Sequence, residues 1–180
     1  VPLGYPLALF GAMASTAVAL LFLLAGVDKL RHRALLPGVI ANYRLLPGAL
    51  VAPAAVLLAP VELAVAAGLL LGVAPWAPLA AMGLLLVFAG AMAVNIMRGR
   101  RHIDCGCGHA GLRQALGWGQ VARNLALVAA LLPALAFGPA MLGAADTAMA
   151  MAAGAALYLL LLMFQALAGL AASAPGQARG

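Results

Sequence analysis

VAPAAVLLAPVELAVAAGLLLGV, residues 51–73, holds a single charge, Glu62, in an otherwise apolar run. A helix crosses the roughly 30 Å hydrocarbon core of a bilayer with about 20 such residues. Apolar side chains occupy every side of this helix rather than one stripe, so no face is prepared for water. Runs of the same character recur at 5–27, 76–97, 117–138 and 147–171. Transmembrane β-barrels use short segments of alternating polarity, and these runs are continuous. The expected fold is all-α: a polytopic membrane helical bundle, with a single transmembrane domain over 1–172 and a disordered tail over 173–180.

Composition agrees. Of 180 residues, 67% are hydrophobic and 8% charged, and the mean hydropathy is +1.12. Soluble domains carry about 25% charged residues. A soluble core of this size could not hide so much apolar surface, so lipid must solvate much of it. The net charge of +6 lies between the apolar runs. That placement suits loops at a membrane surface and speaks against nucleic acid as a partner. The stretch 1–27 has no basic leading segment and exceeds the core of a signal peptide, so it reads as a true span.

The connections are unequal. Ala74-Pro75 and residues 139–145 are short and nearly uncharged. Residues 28–48 hold Lys29, Arg31, Arg33 and Arg44, and residues 98–116 hold Arg98, Arg100, Arg101 and Arg113. With five spans, both basic loops share one side with Arg179. The positive-inside rule puts that side in the cytoplasm and the N-terminus outside, in a bacterial-type inner membrane. The same cations also suit lipid head groups. Within the first loop, Val39, Ile40, Tyr43 and Leu46 recur at helical spacing after Pro37. A short helix at the interface is expected there, stopped by Pro47.

Chemistry concentrates in the second basic loop, at Asp104-Cys105-Gly106-Cys107-Gly108-His109. Glycine between two thiols permits the turn that closes a small disulfide ring. A strained ring of this kind is oxidising and suits passing disulfides on. Arg98, Arg100 and Arg101 stand just upstream, and nearby cations lower a thiol's pKa. The same stretch also reads as a soft-metal site for zinc, copper or a heavy metal, with His102, Cys105, Cys107 and His109 as ligands. A third reading is two incidental cysteines in a solvated loop.

Glu62 is the second signal, because an ionisable group within a span costs about 2.5–3.5 kcal/mol to insert. At about 1.5 Å per residue, Glu62 lies roughly 15 Å, and Arg123 roughly 10 Å, from the basic-loop side. A Glu62–Arg123 pair is open if the second and fourth spans touch. Asn95 and Asn124 lie in the same half, and Pro60 loosens the helix beside Glu62. Two roles stand for such a pair: fixing helix register, or serving a proton relay or cofactor site beneath the cysteine loop. Trp76 and Trp118 read as interfacial anchors, Tyr158 and the methionines as packing, and Gln165 as an interhelical hydrogen-bonding group. Small residues such as Gly83, Gly90, Ala150 and Gly154 are expected to let helices approach closely.

Several motifs then coincide. Gly26-Val-Asp-Lys-Leu30 ends the first span, Tyr43-Arg-Leu-Leu-Pro47 closes the first loop, and Pro60-Val-Glu62 sits in the second span. Asn95-x-x-Arg98-Gly99, Cys105-Gly-Cys107-Gly108, Trp118 and Arg123-Asn124 follow. Over residues 5–133 the chain resembles the methylamine-utilisation protein MauE family, within the DoxX-like group. The resemblance implies a four-helix core plus a fifth transmembrane helix. It implies a thiol–disulfide role, or electron supply, in maturing a disulfide-rich extracytoplasmic client, alongside a thioredoxin-like partner. Cys105, Cys107, Glu62 and Arg123 are then the candidate catalytic residues. A non-catalytic scaffold for that partner is the remaining alternative. Gly108-His109 departs from the family pattern, in which an aromatic residue and glycine follow the cysteines. In outline the chain is also similar to quinone-linked thiol oxidoreductases, so quinone enters as a cofactor by analogy alone. Family role and charge bias disagree on the cysteines' compartment, since disulfides persist on the oxidising side.

Overall fold

The computed structural model describes residues 4–100, 116–138 and 142–172. Helices follow in the order α1 (Gly4–Arg31), α2 (Leu36–Tyr43), α3 (Gly48–Leu70), α4 (Trp76–Met97), α5 (Trp118–Ala136) and α6 (Ala144–Ala172). No strand occurs among the described residues. All but α2 are long and apolar enough to cross a membrane, which gives 5 candidate spans. The protein is a multi-pass helical membrane protein. The tail 173–180 and the side chain of Gln165 lie outside the described residues.

α1 packs on α3, α5 and α6, while α4 packs on α3 and α5. The helices α1, α3, α4 and α5 thus close a ring, and α6 lies outside it against α1. Val18, Phe22, Ala66, Ala81, Leu85 and Leu131 fill the centre of the ring. Val56, Leu57 and Leu159 point outward and are exposed, as expected where lipid is the solvent. Trp76 and Trp118 open α4 and α5 and are exposed, in keeping with interfacial anchoring.

Close helix approach falls on particular glycines. A Cβ on Gly11 would sit 2.8 Å from the backbone nitrogen of Ala134, and one on Gly154 would sit 2.5 Å from the Met13 carbonyl oxygen. Only glycine lets α5 and α6 lie this close to α1. A Cβ on Gly68 would come within 3.0 Å of Ala77 in α4. Gly83 and Gly90, expected to serve in the same way, face open space within 4 Å. Hydropathy cannot say which side of an all-apolar helix meets a neighbour.

The helix ends show local closure. Gly72 and Gly99 adopt φ of 68° and 73°. Val73 N–H then donates to the Gly68 carbonyl and Arg100 N–H to the Asn95 carbonyl, each at 2.9 Å. These bonds satisfy carbonyls left over at the C-termini of α3 and α4. α2 carries Pro37 in its first turn, as expected. It ends at Tyr43 rather than running to Pro47, because Arg44 turns into the left-handed region with φ 49°. Pro47 instead precedes α3. α2 packs on α3.

Two ends of the bundle can now be distinguished. The loop end carries α2 and the long connections. The hairpin end carries the turn at 71–75 and the link into α6, where Tyr5 lies near Asp146.

Candidate functional site

Glu62 is fully buried, and its partner is Lys29. The Lys29 ammonium donates to both carboxylate oxygens of Glu62 at 2.9 Å. This corrects the expected Glu62–Arg123 pair. The helix α1 continues past the apolar run to Arg31, so Lys29 stands on a span rather than in a loop. Its long stem lies buried with the head turned to α3. α3 packs on α1, α2 and α4, whereas α5 packs on α1 and α4. Glu62 and Arg123 therefore stand on helices that share no substantial contact.

Beside the pair, Gly26 admits Leu63, whose Cγ would lie 2.9 Å from any Cβ there. This close approach brings α1 near enough for Lys29 to reach Glu62. The Lys29 ammonium also lies 6.0 Å from the centroid of the Phe88 ring. Phe88 in turn meets Phe22 at 6.5 Å with the rings tilted by 51°. A desolvated cation near an aromatic face gains further electrostatic support. Pro60 sits within α3, where it removes a helical hydrogen bond one turn from the pair.

A second polar cluster closes the loop end. Asn95 is fully buried; its amide donates to the Ala91 carbonyl at 3.1 Å, and its Oδ1 accepts from Arg100 at 3.1 Å. Arg100 also donates to the Asn42 carbonyl at 2.8 Å. Arg98 donates to the Arg44 carbonyl at 3.4 Å. These guanidiniums thus fasten α2 to the end of α4. On the other flank, buried Leu116 packs with Met92, Ile96 and Val121, and Gly117 N–H donates to Gln120 Oε1 at 2.7 Å.

Asn124 is buried in α5. Arg123 is half-buried, and its Nε has no hydrogen-bond partner among the described residues. It lies within electrostatic reach of buried Tyr158 in α6. Cys105, Cys107, Arg101, Arg113, His102 and His109 lie outside the described residues. No group of three or more His, Cys, Asp or Glu able to hold a metal occurs among the described residues.

A cavity of about 290 Å³ opens beneath α2, between α3 and α4. Lys29 lines it together with Val39, Tyr43, Leu58, Phe88 and Ala91. Hydropathy shows that α2 has an apolar face, but only tertiary packing shows what that face covers.

A four-helix ring with a fifth helix outside it, a charged pair sunk between two spans and polar groups gathered at one end define a small polytopic membrane protein with an intramembrane ion pair. The family model described as methylamine utilisation protein MauE matches residues 7–138, which run from within α1 through α5. The chain belongs to the MauE family. It is 46% identical over 160 residues to the methylamine utilization protein MauE of Paracoccus denitrificans, covering 87% of this chain and 86% of the relative. The protein of the same name from Paracoccus versutus is 45% identical over 164 residues, with 89% and 88% covered. That of Methylorubrum extorquens is 41% identical over 163 residues, with 86% and 85% covered. No solved structure matches.

Proposed function

We propose that this chain serves methylamine utilisation as an inner-membrane thiol–disulfide redox protein, with Cys105 and Cys107 as the exchanging pair. The observation that carries the reading is the motif's place in the order of the chain. Cys105-Gly106-Cys107 belongs to the stretch joining α4 to α5. Both flanks of that stretch are fastened at the loop end, by Arg98 and Arg100 on one side and Leu116 on the other. Fixed flanks and nearby cations favour a reactive thiolate. Arg123, whose Nε has no hydrogen-bond partner among the described residues, is the intramembrane cation assigned to that role. Glu62 serves as the partner of Lys29, holding α1 against α3.

Closing the disulfide releases two electrons and two protons from the two thiols. A lipid-soluble quinone, when bound, would supply the two-electron, two-proton acceptor that balances this step. The extracytoplasmic client gains disulfides directly if the pair faces the oxidising side. If the pair faces the cytoplasm, a thioredoxin-like partner supplies the electrons.

The test is differential alkylation of membranes with and without reductant, using labels that do or do not cross the bilayer. The expected result is a pair protected when oxidised and labelled after reduction. Thiols that resist oxidation, or a Cys105→Ser variant that still supports client disulfides, overturn the reading. Metal bound in proportion to thiol would transfer the assignment to the metal-ligand set.

A further inference from the structure

We infer that the cavity beneath α2 binds the ring of a lipid-soluble quinone, with one carbonyl oxygen accepting a hydrogen bond from Lys29. The helices α3 and α4 touch closely where Gly68 meets Ala77. Towards the loop end the cavity lies between them, roofed by α2. Its rim includes Val87 and Leu46, which are 64% and 41% exposed. In a membrane that exposure faces lipid, so the opening is lateral and its natural visitors are molecules dissolved in the bilayer.

The lining selects among such visitors. Lys29 is its charged member, and the rest are apolar or aromatic. Two of the three ammonium hydrogens are matched by Glu62, and the third has no acceptor among the described residues. An acyl chain offers no acceptor. A phosphate head group would find one cation already neutralised by Glu62, within apolar walls that penalise an unpaired anion. A neutral planar ring bearing carbonyls satisfies both walls and donor, and Phe88 gives it a face to lie along. The volume of about 290 Å³ is near the lower end for small-molecule sites, about 300 Å³. It suits a ring whose tail leaves past Val87 into the bilayer.

Binding in this cavity does not require the thiols; the quinone's use as electron acceptor rests on the thiol–disulfide reading. The experiment uses the full chain in lipid nanodiscs and a short-tailed photoreactive azidoquinone. Saturable labelling of peptides from α2 and α4 is expected. Ala91→Phe, which fills the cavity, should weaken binding about tenfold or more. Lys29→Met combined with Glu62→Leu removes the donor without stranding a charge, and should also weaken binding about tenfold. Thermal unfolding of both variants should stay close to the parent. An alkylbenzene of equal tail length should not compete. Absent or non-saturable labelling, indifference to Ala91→Phe, or equal competition by the alkylbenzene overturns the assignment. The Cys105→Ser, Cys107→Ser double variant should bind quinone unchanged. Thiols that cycle in a protein without quinone binding sink this inference alone; binding with inert thiols sinks the redox reading alone.

Discussion

The two ends of this bundle are held by different physics. At the hairpin end, backbones press together over Gly11, Gly68 and Gly154, and Tyr5 and Asp146 approach each other at the outer tips of their helices. At the loop end α1 still meets α3 closely at Gly26, but α3 and α4 stand apart around the cavity, and the segments are tied by Lys29–Glu62, Arg100–Asn95 and the guanidinium bonds to α2. Dispersion between close backbones needs no partner chemistry and leaves little room. A cavity of about 160 Å³ lined by residues such as Ala8, Gly68 and Phe137 lies there, against about 290 Å³ beneath α2. Polar ties reach farther, leave space between the helices, and bring functional groups into it. The difference teaches that the space available for chemistry follows the way the helices are joined.

The largest effect should come from breaking the charge. Glu62→Leu leaves Lys29 buried without a partner and should cost about 3–5 kcal/mol in detergent unfolding. Less damage than from a packing change would show that the loop end does not depend on its ion pair. Gly11→Val drives a side chain into the α5 backbone and should cost about 1–3 kcal/mol by the same measurement. Gly83→Ala, on a face with open space, should be neutral or stabilising by up to about 1 kcal/mol. Equal losses at both glycines would erase the contrast between contact and lipid faces. Arg100→Met removes bonds to Asn95 and Asn42 and should cost about 1 kcal/mol, with faster amide exchange in α2 and an unchanged α6. Smallest is the double change Lys29→Met, Glu62→Leu, which removes both charges. It should unfold within about 1 kcal/mol of the parent, which would separate the role of the pair from the volume it fills.

Much of this architecture was legible because lipid imposes a blunt rule. Each span must be apolar throughout, so five runs could be counted and Pro37 could start a short helix. Glu62 stood out for the same reason. Its partner did not, because hydropathy closes the first span at Val27 while helical geometry carries it to Arg31. Lys29 looked like a surface cation until α1 was seen against α3. The roles of Arg98 and Arg100 were obscured similarly. Proximity to Cys105 suggested an electrostatic task, and the structure shows each donating to carbonyls in the α2 segment. The orientation of uniformly apolar helices was not legible, which is why Gly83 was expected at a contact that Gly11 makes.

The 33-residue separation of Lys29 and Glu62 also sets a clock. A ribosome adding about 5–20 residues per second delivers the carboxylate roughly 2–7 s after the ammonium. During that interval Lys29 must hold its charge at the lipid–water boundary, which its place near the end of α1 allows. Arrival of α3 lets both charges sink together as a neutral unit. The membrane thus admits the first two spans as a hairpin whose completion is marked by one ion pair.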